Sequence, residues 1–254
     1  MRYFLAFLIS FFIAAQPLIA LPSSSRAIKI LNEVDDMWRG KSSFAKFSMS
    51  VKTVNYTRTM KMEGWSKGKE KSLIKIIYPL KEKGTSTLKS GNNIYTYLPK
   101  TDRTIRITSG MMMGSWMGSH FTNDDLVKES RLSEDYDVTI SFEGVRDGEK
   151  IIEFTLLPKP DAAVVWGKIV LTTLSIQDKN IIPVKEIYYD EDLAEIREMT
   201  FTDVKILGGK LRPAVMRIEP KDKPGEYTEL VYSELKFDIE LDDSFFSLAK
   251  LRRK

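Results

Sequence analysis

Apolar and polar residues alternate with a period of two along most of this chain, and a segment with that period buries one face when it is extended as a β-strand. From Ser43, the residues Ala45, Phe47, Met49 and Val51 alternate with Phe44, Lys46, Ser48, Ser50 and Lys52. Similar runs cover Thr57 to Trp65, Ser72 to Tyr78, Ser86 to Ser90, Asn93 to Leu98 and Arg103 to Thr108. A second series covers Tyr136 to Val145, Lys150 to Leu157, Gly167 to Ile176, Val184 to Tyr189, Glu195 to Ile206, Pro213 to Glu219 and Tyr227 to Phe237. Short turn signals separate them, among them Lys67-Gly68, Gly91-Asn92, Arg146-Asp147-Gly148, Gly208-Gly209 and Pro224-Gly225. This spacing is that of antiparallel hairpins, so the chain is expected to be mainly β, with about 11–13 strands. One helix precedes them: Ala27, Ile30, Leu31, Val34, Met37 and Trp38 recur at helical spacing between Ser25, a capping residue, and Gly40.

The alternation stops between Ser109 and Glu129, where four of the eleven Met residues gather as Gly110-Met111-Met112-Met113-Gly114-Ser115-Trp116-Met117-Gly118. The spacing predicts about two helical turns over Met111 to Met117, and only part of so short a helix can face a core. Methionine is unbranched and polarizable, which suits a surface that receives flexible apolar ligands, and the glycines let the segment move or pack closely. The plainer reading is a helix that plugs the open side of a sheet with no ligand. Beyond His120 and Phe121, Thr122 and Asp125 stand at capping-box spacing, so a second short helix is expected over Asn123 to Glu129. Trp38, Trp65, Trp166, Tyr95 and Tyr97 are aromatic candidates for the concave face of the sheet.

Residues 1–20 have the order of a cleavable signal peptide: Arg2, an apolar run from Tyr3 to Ala15 broken by Ser10, and Pro17-Leu18-Ile19-Ala20. A membrane-spanning helix needs roughly 20 apolar residues, and Gln16 and Pro17 interrupt this run. Cleavage is expected near Ala20, leaving one domain over 21–254. The absence of Cys from the chain excludes disulfides and a cysteine-linked lipid anchor. Lys and Arg number 39 against 35 acidic residues and are scattered, so no nucleic-acid surface is expected.

Most familiar catalysis needs residues that are scarce here. The chain has one His, no Cys and no strand-GxxxxGK-helix loop. Ser115, Ser119, His120, Asp124 and Asp125 can be drawn as a Ser-His-Asp set, yet a triad requires its members to meet in space from separate elements. The acidic clusters Asp35-Asp36, Asp190-Glu191-Asp192 and Asp242-Asp243 lack the spacing of a calcium loop and read as turns or caps. No enzyme activity, cofactor or metal is expected.

The stretch Gly114-Ser115-Trp116-Met117-Gly118-Ser119-His120-Phe121-Thr122-Asn123-Asp124-Asp125-Leu126, set between strand-rich halves behind a signal peptide, resembles the outer membrane lipoprotein-sorting (LolA-like) proteins, in an uncharacterised periplasmic branch. The resemblance implies a strongly curved, incomplete antiparallel barrel with an N-terminal helix and a central helical lid, carrying acyl chains through the periplasm. It places Met111, Met112, Met113, Trp116 and Met117 in the lid and Thr122 to Leu126 in the short helix after it, with Phe121 a further candidate for the lid and cavity, and it identifies no cavity arginine here. The expected function is a monomeric periplasmic carrier of lipid or lipoprotein acyl chains between inner and outer membranes, with transient contacts to membrane proteins such as a transporter. A lipid-sensing or accessory module of an envelope exporter or signalling system is the alternative, and a secreted hydrolase a further one.

Overall fold

Thirteen strands form one antiparallel sheet in the computed structural model, which describes residues 25–38, 40–128, 132–162, 164–176 and 180–253. The expected signal peptide at 1–20 lies outside the described residues. After helix α1 (Ser25–Asp35), six strands follow: β1 (Ser42–Lys52), β2 (Thr57–Lys67), β3 (Lys71–Tyr78), β4 (Ser86–Ser90), β5 (Asn93–Leu98) and β6 (Arg103–Ile107). Beyond helices α2 (Asp125–Lys128) and α3 (Leu132–Asp135) come β7 (Tyr136–Arg146), β8 (Glu149–Pro158), β9 (Lys168–Ile176) and β10 (Asn180–Tyr189). Strands β11 (Glu195–Leu207), β12 (Lys210–Pro220) and β13 (Tyr227–Phe237) and helix α4 (Leu248–Arg252) complete the chain.

Each strand pairs with its sequence neighbours except β6 and β7, which do not pair with each other, and one long-range pairing joins β1 to β13, from Ser43 opposite Phe237 to Lys52 opposite Tyr227. That seam puts the first and last strands at the centre and leaves β6 and β7 as the two outer edges. The sheet is therefore open. The chain between its edges, residues 108–135, joins one edge to the other.

Curvature comes from register shifts. Extra residues interrupt pairing at Lys46/Phe47, Lys61/Met62, Ile140/Phe142, Pro183/Lys185 and Tyr188/Tyr189, and each such bulge bends its strand and increases the local twist. Pro183, which has no N–H to give a ladder, sits at one of them. Two strands start earlier than the alternation predicts, each continuing through a proline: β10 at Asn180 rather than Val184, and β12 at Lys210 rather than Pro213. Gly167 answers a different need, since a Cβ there would lie 2.3 Å from the Asp190 carbonyl oxygen; only glycine permits that backbone approach.

The concave face holds the main core. Ala27, Ile30, Leu31 and Val34 of α1 pack with Phe47, Met49, Met62, Phe154, Leu156 and Phe201, each large side chain contributing about 1.5–3 kcal/mol of burial. The opposite face of β3 to β5 carries a smaller cluster of Leu73, Leu88 and Tyr97, covered by Phe246 and by Leu251 of α4. Lys75 fixes that helix by donating to the Lys250 and Arg253 carbonyls at 2.9 and 2.7 Å.

Just before α4, Asp243 meets Lys67 at 2.8 Å and Lys71 at 2.9 Å. These hydrogen bonds hold its carboxyl at about 2, below the ordinary 3.8. A depressed folded-state pKa adds stability that is present above the unfolded value and is lost as pH falls through the folded one. The Asp243 contacts should therefore persist down to about pH 4 and weaken toward pH 2. Carbon-detected NMR should find the Asp243 midpoint near 2, moving upward when Lys67 and Lys71 are both replaced by Ala. An ordinary midpoint in the native chain would contradict this.

Candidate functional site

The segment joining the sheet edges is not the continuous helix expected over Met111 to Met117. It makes two 3-10 turns, Ser109–Met111 and Trp116–Gly118, with Met117 in the left-handed region at φ 51°. The glycines supply the physical reason, because Gly110, Gly114 and Gly118 weaken any helix that spans them. The chain instead folds back on itself. Trp116 N–H donates to Phe121 O at 2.8 Å and Asn123 N–H to Gly114 O at 3.0 Å, around a bridge between Ser115 and Thr122. This small hairpin turns Trp116 and Phe121 inward, where both are buried. The capping box forms as its spacing predicts: Thr122 N–H donates to the Asp125 carboxylate at 2.7 Å and Asp125 N–H to Thr122 Oγ1 at 3.2 Å. Helix α2 follows from it.

Beneath this lid lies a cavity of about 170 Å³ between α1, the lid and the sheet. Trp38, Phe47, Trp116, Phe121, Leu126 and Phe201 form much of its apolar wall. Its floor is made of small residues, with Ala45 and Gly64 opposite each other on β1 and β2 and Ser43 and Ser66 beside them. Asp35, Asp125 and Glu186 add carboxylates at its margin.

Three polar ties fasten the lid to separate strands. On β11, Arg197 grips Asp125 through two hydrogen bonds of 2.8 and 2.6 Å, with both side chains buried. Its guanidinium lies 4.3 Å from the Trp166 ring and 4.2 Å from that of Tyr188, so planar cation and aromatic faces support one another. On β4, Thr87 accepts the Trp116 indole N–H at 3.1 Å. On β13, Thr228 meets His120 Nδ1 at 2.9 Å, and just before that strand Glu226 meets His120 Nε2 at 3.0 Å. Glu226 also accepts the Val54 N–H at 2.9 Å, and these bonds hold its carboxyl below the ordinary range.

His120 is thus a largely buried structural link. Ser115 and Ser119 bond the main-chain carbonyls of Ser119 and Trp116, so they do not form a catalytic set with His120. Two acidic clusters serve their own turns: Asp190 accepts the Ala194 N–H at 2.8 Å and Asp242 the Ser244 N–H at 3.3 Å.

The sequence-predicted site residues separate into distinct places. Trp38, Trp116 and Phe121 meet around the cavity. Trp65 does not, because its neighbours Gly64 and Ser66 face the cavity and the alternation turns its ring to the opposite face, against Phe44, Phe245 and the cluster beneath α4. Met117 lines a shallow outer groove with Arg58 and Pro99, Met112 packs against Ile94 and Ile107, and Met111 and Met113 are exposed. Tyr95 and Tyr97 pack in the cluster beneath α4, while Trp166 lies beside Arg197. Sequence reasoning missed Arg197. Its signal was present, for Arg197 occupies the same inward register on β11 as Met199 and Phe201, an unusual position for a cation.

An open antiparallel half-barrel with a lid strung between its edges defines a class already seen in solved structures. A domain assigned as an outer membrane lipoprotein-sorting protein from Vibrio parahaemolyticus matches with a TM-score of 0.75 at 25% identity, over 90% of this chain and 99% of that one. A DUF1329 family protein from Desulfovibrio piger matches with a TM-score of 0.76 at 21% identity, over 91% and 100%. A LolA superfamily protein from Nitrosomonas europaea matches with a TM-score of 0.73 at 20% identity, over 91% and 100%. The fold is that of the LolA-like, lipoprotein-sorting proteins. A family model described as "Uncharacterized protein" matches residues 68–253, and the chain belongs to that family. No curated protein matches the sequence.

Proposed function

We propose that this protein is a periplasmic carrier that takes lipid or lipoprotein acyl chains into its apolar cavity and moves them between the inner and outer membranes, without catalysis. The observation that carries the reading is an apolar cavity under a lid held to the sheet largely by side-chain ties. The carrier is a single domain over 21–254 that works as a monomer. It is exported by the signal sequence at 1–20, and its partners are acyl chains and, transiently, membrane proteins such as a transporter. Among the described residues no helix is long and apolar enough to cross a membrane.

At about 170 Å³ the cavity is smaller than the roughly 300–1,000 Å³ of small-molecule sites, so loading requires the lid to move outward. Polar ties suit that movement. A neutral hydrogen bond exchanged for water costs only about 0.5–1.5 kcal/mol net, whereas separating the buried ion pair costs more and keeps the empty form shut. On the other side, roughly 0.8 kcal/mol per buried methylene gives about 10 kcal/mol for a dozen methylenes, before ordering costs. Uptake of an acyl chain therefore offsets lid opening.

Titration of lipid-stripped protein with an environment-sensitive fatty acid tests this. Saturable one-to-one binding, displaced by unlabelled fatty acid, is expected. A flat titration would reject the reading.

A further inference from the structure

The end of the half-barrel that carries the β1 to β2 turn also exposes apolar side chains that the cavity does not use. Val54 is 82% and Leu80 81% exposed, with Tyr56 at 45% and Tyr78 at 55%. Tyr56, Thr59, Tyr78, Pro79 and Lys81 line one shallow groove, so the β1 to β2 turn and the β3 to β4 loop form a joint surface. Single exposed apolar residues are ordinary; two aliphatic and two aromatic ones on adjoining loops make a patch. Cations surround it. Residues 52–61 and 78–83 contain Lys52, Arg58, Lys61, Lys81 and Lys83 against one carboxylate, Glu82, which Arg58 pairs at 2.8 Å. The nearby Glu226, bonded to the Val54 N–H, is occupied by His120.

The patch also touches the lid. Tyr56 Oη donates to Gly118 O at 3.1 Å, and Met117 shares a groove with Arg58, Lys81 and Glu82. We propose that this patch docks the protein on an anionic lipid surface. Tyr56 and Tyr78 lie at headgroup level, Val54 and Leu80 enter the acyl boundary, and the lysines meet the lipid phosphates. Docking there sets the lid margin at Gly118 against the membrane from which an acyl chain would enter. The inference rests on the carrier reading for its purpose, while its test does not depend on the cavity.

The test is co-sedimentation of the full mature chain with phosphatidylethanolamine and phosphatidylglycerol vesicles, compared with phosphatidylcholine vesicles. Binding to the anionic vesicles that weakens as salt is added is expected. Tyr78→Ser combined with Leu80→Glu should lower that partition about tenfold or more, since the loss of one buried Leu and the addition of one carboxylate facing the lipid phosphates each approach that factor. Ile206→Ser, at an exposed position on β11, should leave it unchanged. Equal sedimentation of the patch variant and the native chain overturns the proposal, as does equal binding to neutral vesicles. Binding only to membranes that retain their proteins overturns it in favour of a protein partner. Fatty acid affinity is measured in parallel: a patch variant that binds the probe normally but not the vesicles supports docking. A native chain that binds vesicles but no probe supports docking while rejecting the carrier reading.

Discussion

Asp125→Ala should destabilise the folded chain by about 3–5 kcal/mol, because it leaves the Arg197 guanidinium charged and buried without its carboxylate. The pair is bidentate, both side chains are shielded from water, and the guanidinium lies against two aromatic rings. The same substitution removes the Thr122 capping partner, a further loss of about 1 kcal/mol. Asp125→Asn separates the two effects, since the amide oxygen can still accept the Thr122 N–H while the negative charge is gone. Asp125→Leu with Arg197→Met should recover much of the stability, because well-packed apolar replacements of a buried pair are often neutral or better. Urea unfolding of these variants, with Asp125→Leu and Arg197→Met also made singly, gives the coupling between the positions. A loss below about 1 kcal/mol for Asp125→Ala would put the pair in the range of surface ion pairs and remove it as the lid's main tie.

That pair also marks the limit of what the sequence makes legible. Local pattern sufficed for elements: β4, β5 and β13 begin and end where alternation and turn signals place them. The β1 to β13 seam is a contact between the first and last strands of the sequence, and no local period encodes it. Without the seam, the two free edges stay hidden, and so does the reason that residues 108–128 lie across the opening. The methionines misdirected attention for the same reason. Their composition suggests a binding face, but a backbone that folds back at Gly114 and Gly118 turns Trp116 and Phe121 inward and leaves Met111 and Met113 in solvent. Arg197 was legible in principle as a cation at an inward register. Its partner was hidden in the capping box, where Asp125 had a sufficient local explanation.

Filling the cavity should separate binding from stability more cleanly than loosening the lid. Ala45 lies at the centre of the sheet, opposite Gly64 on β2 and Leu235 on β13, and the cavity exists there because these floor residues are small. A Cβ on Gly64 would already come within 3.3 Å of the Phe47 ring, so Ala45 is the better place to add bulk. Ala45→Phe puts a phenyl ring into open volume on a strand that favours aromatic residues, and the cost of overpacking, about 1–3 kcal/mol in a filled core, is reduced by that space. An acyl chain that loses room for about four methylenes loses about 3 kcal/mol, roughly a hundredfold in affinity. Fatty acid titration should therefore weaken by that factor while thermal unfolding stays close to the native profile. Undiminished affinity in a folded Ala45→Phe chain would place the acyl chain outside this cavity, and the lid would then be read as a plug that completes the core.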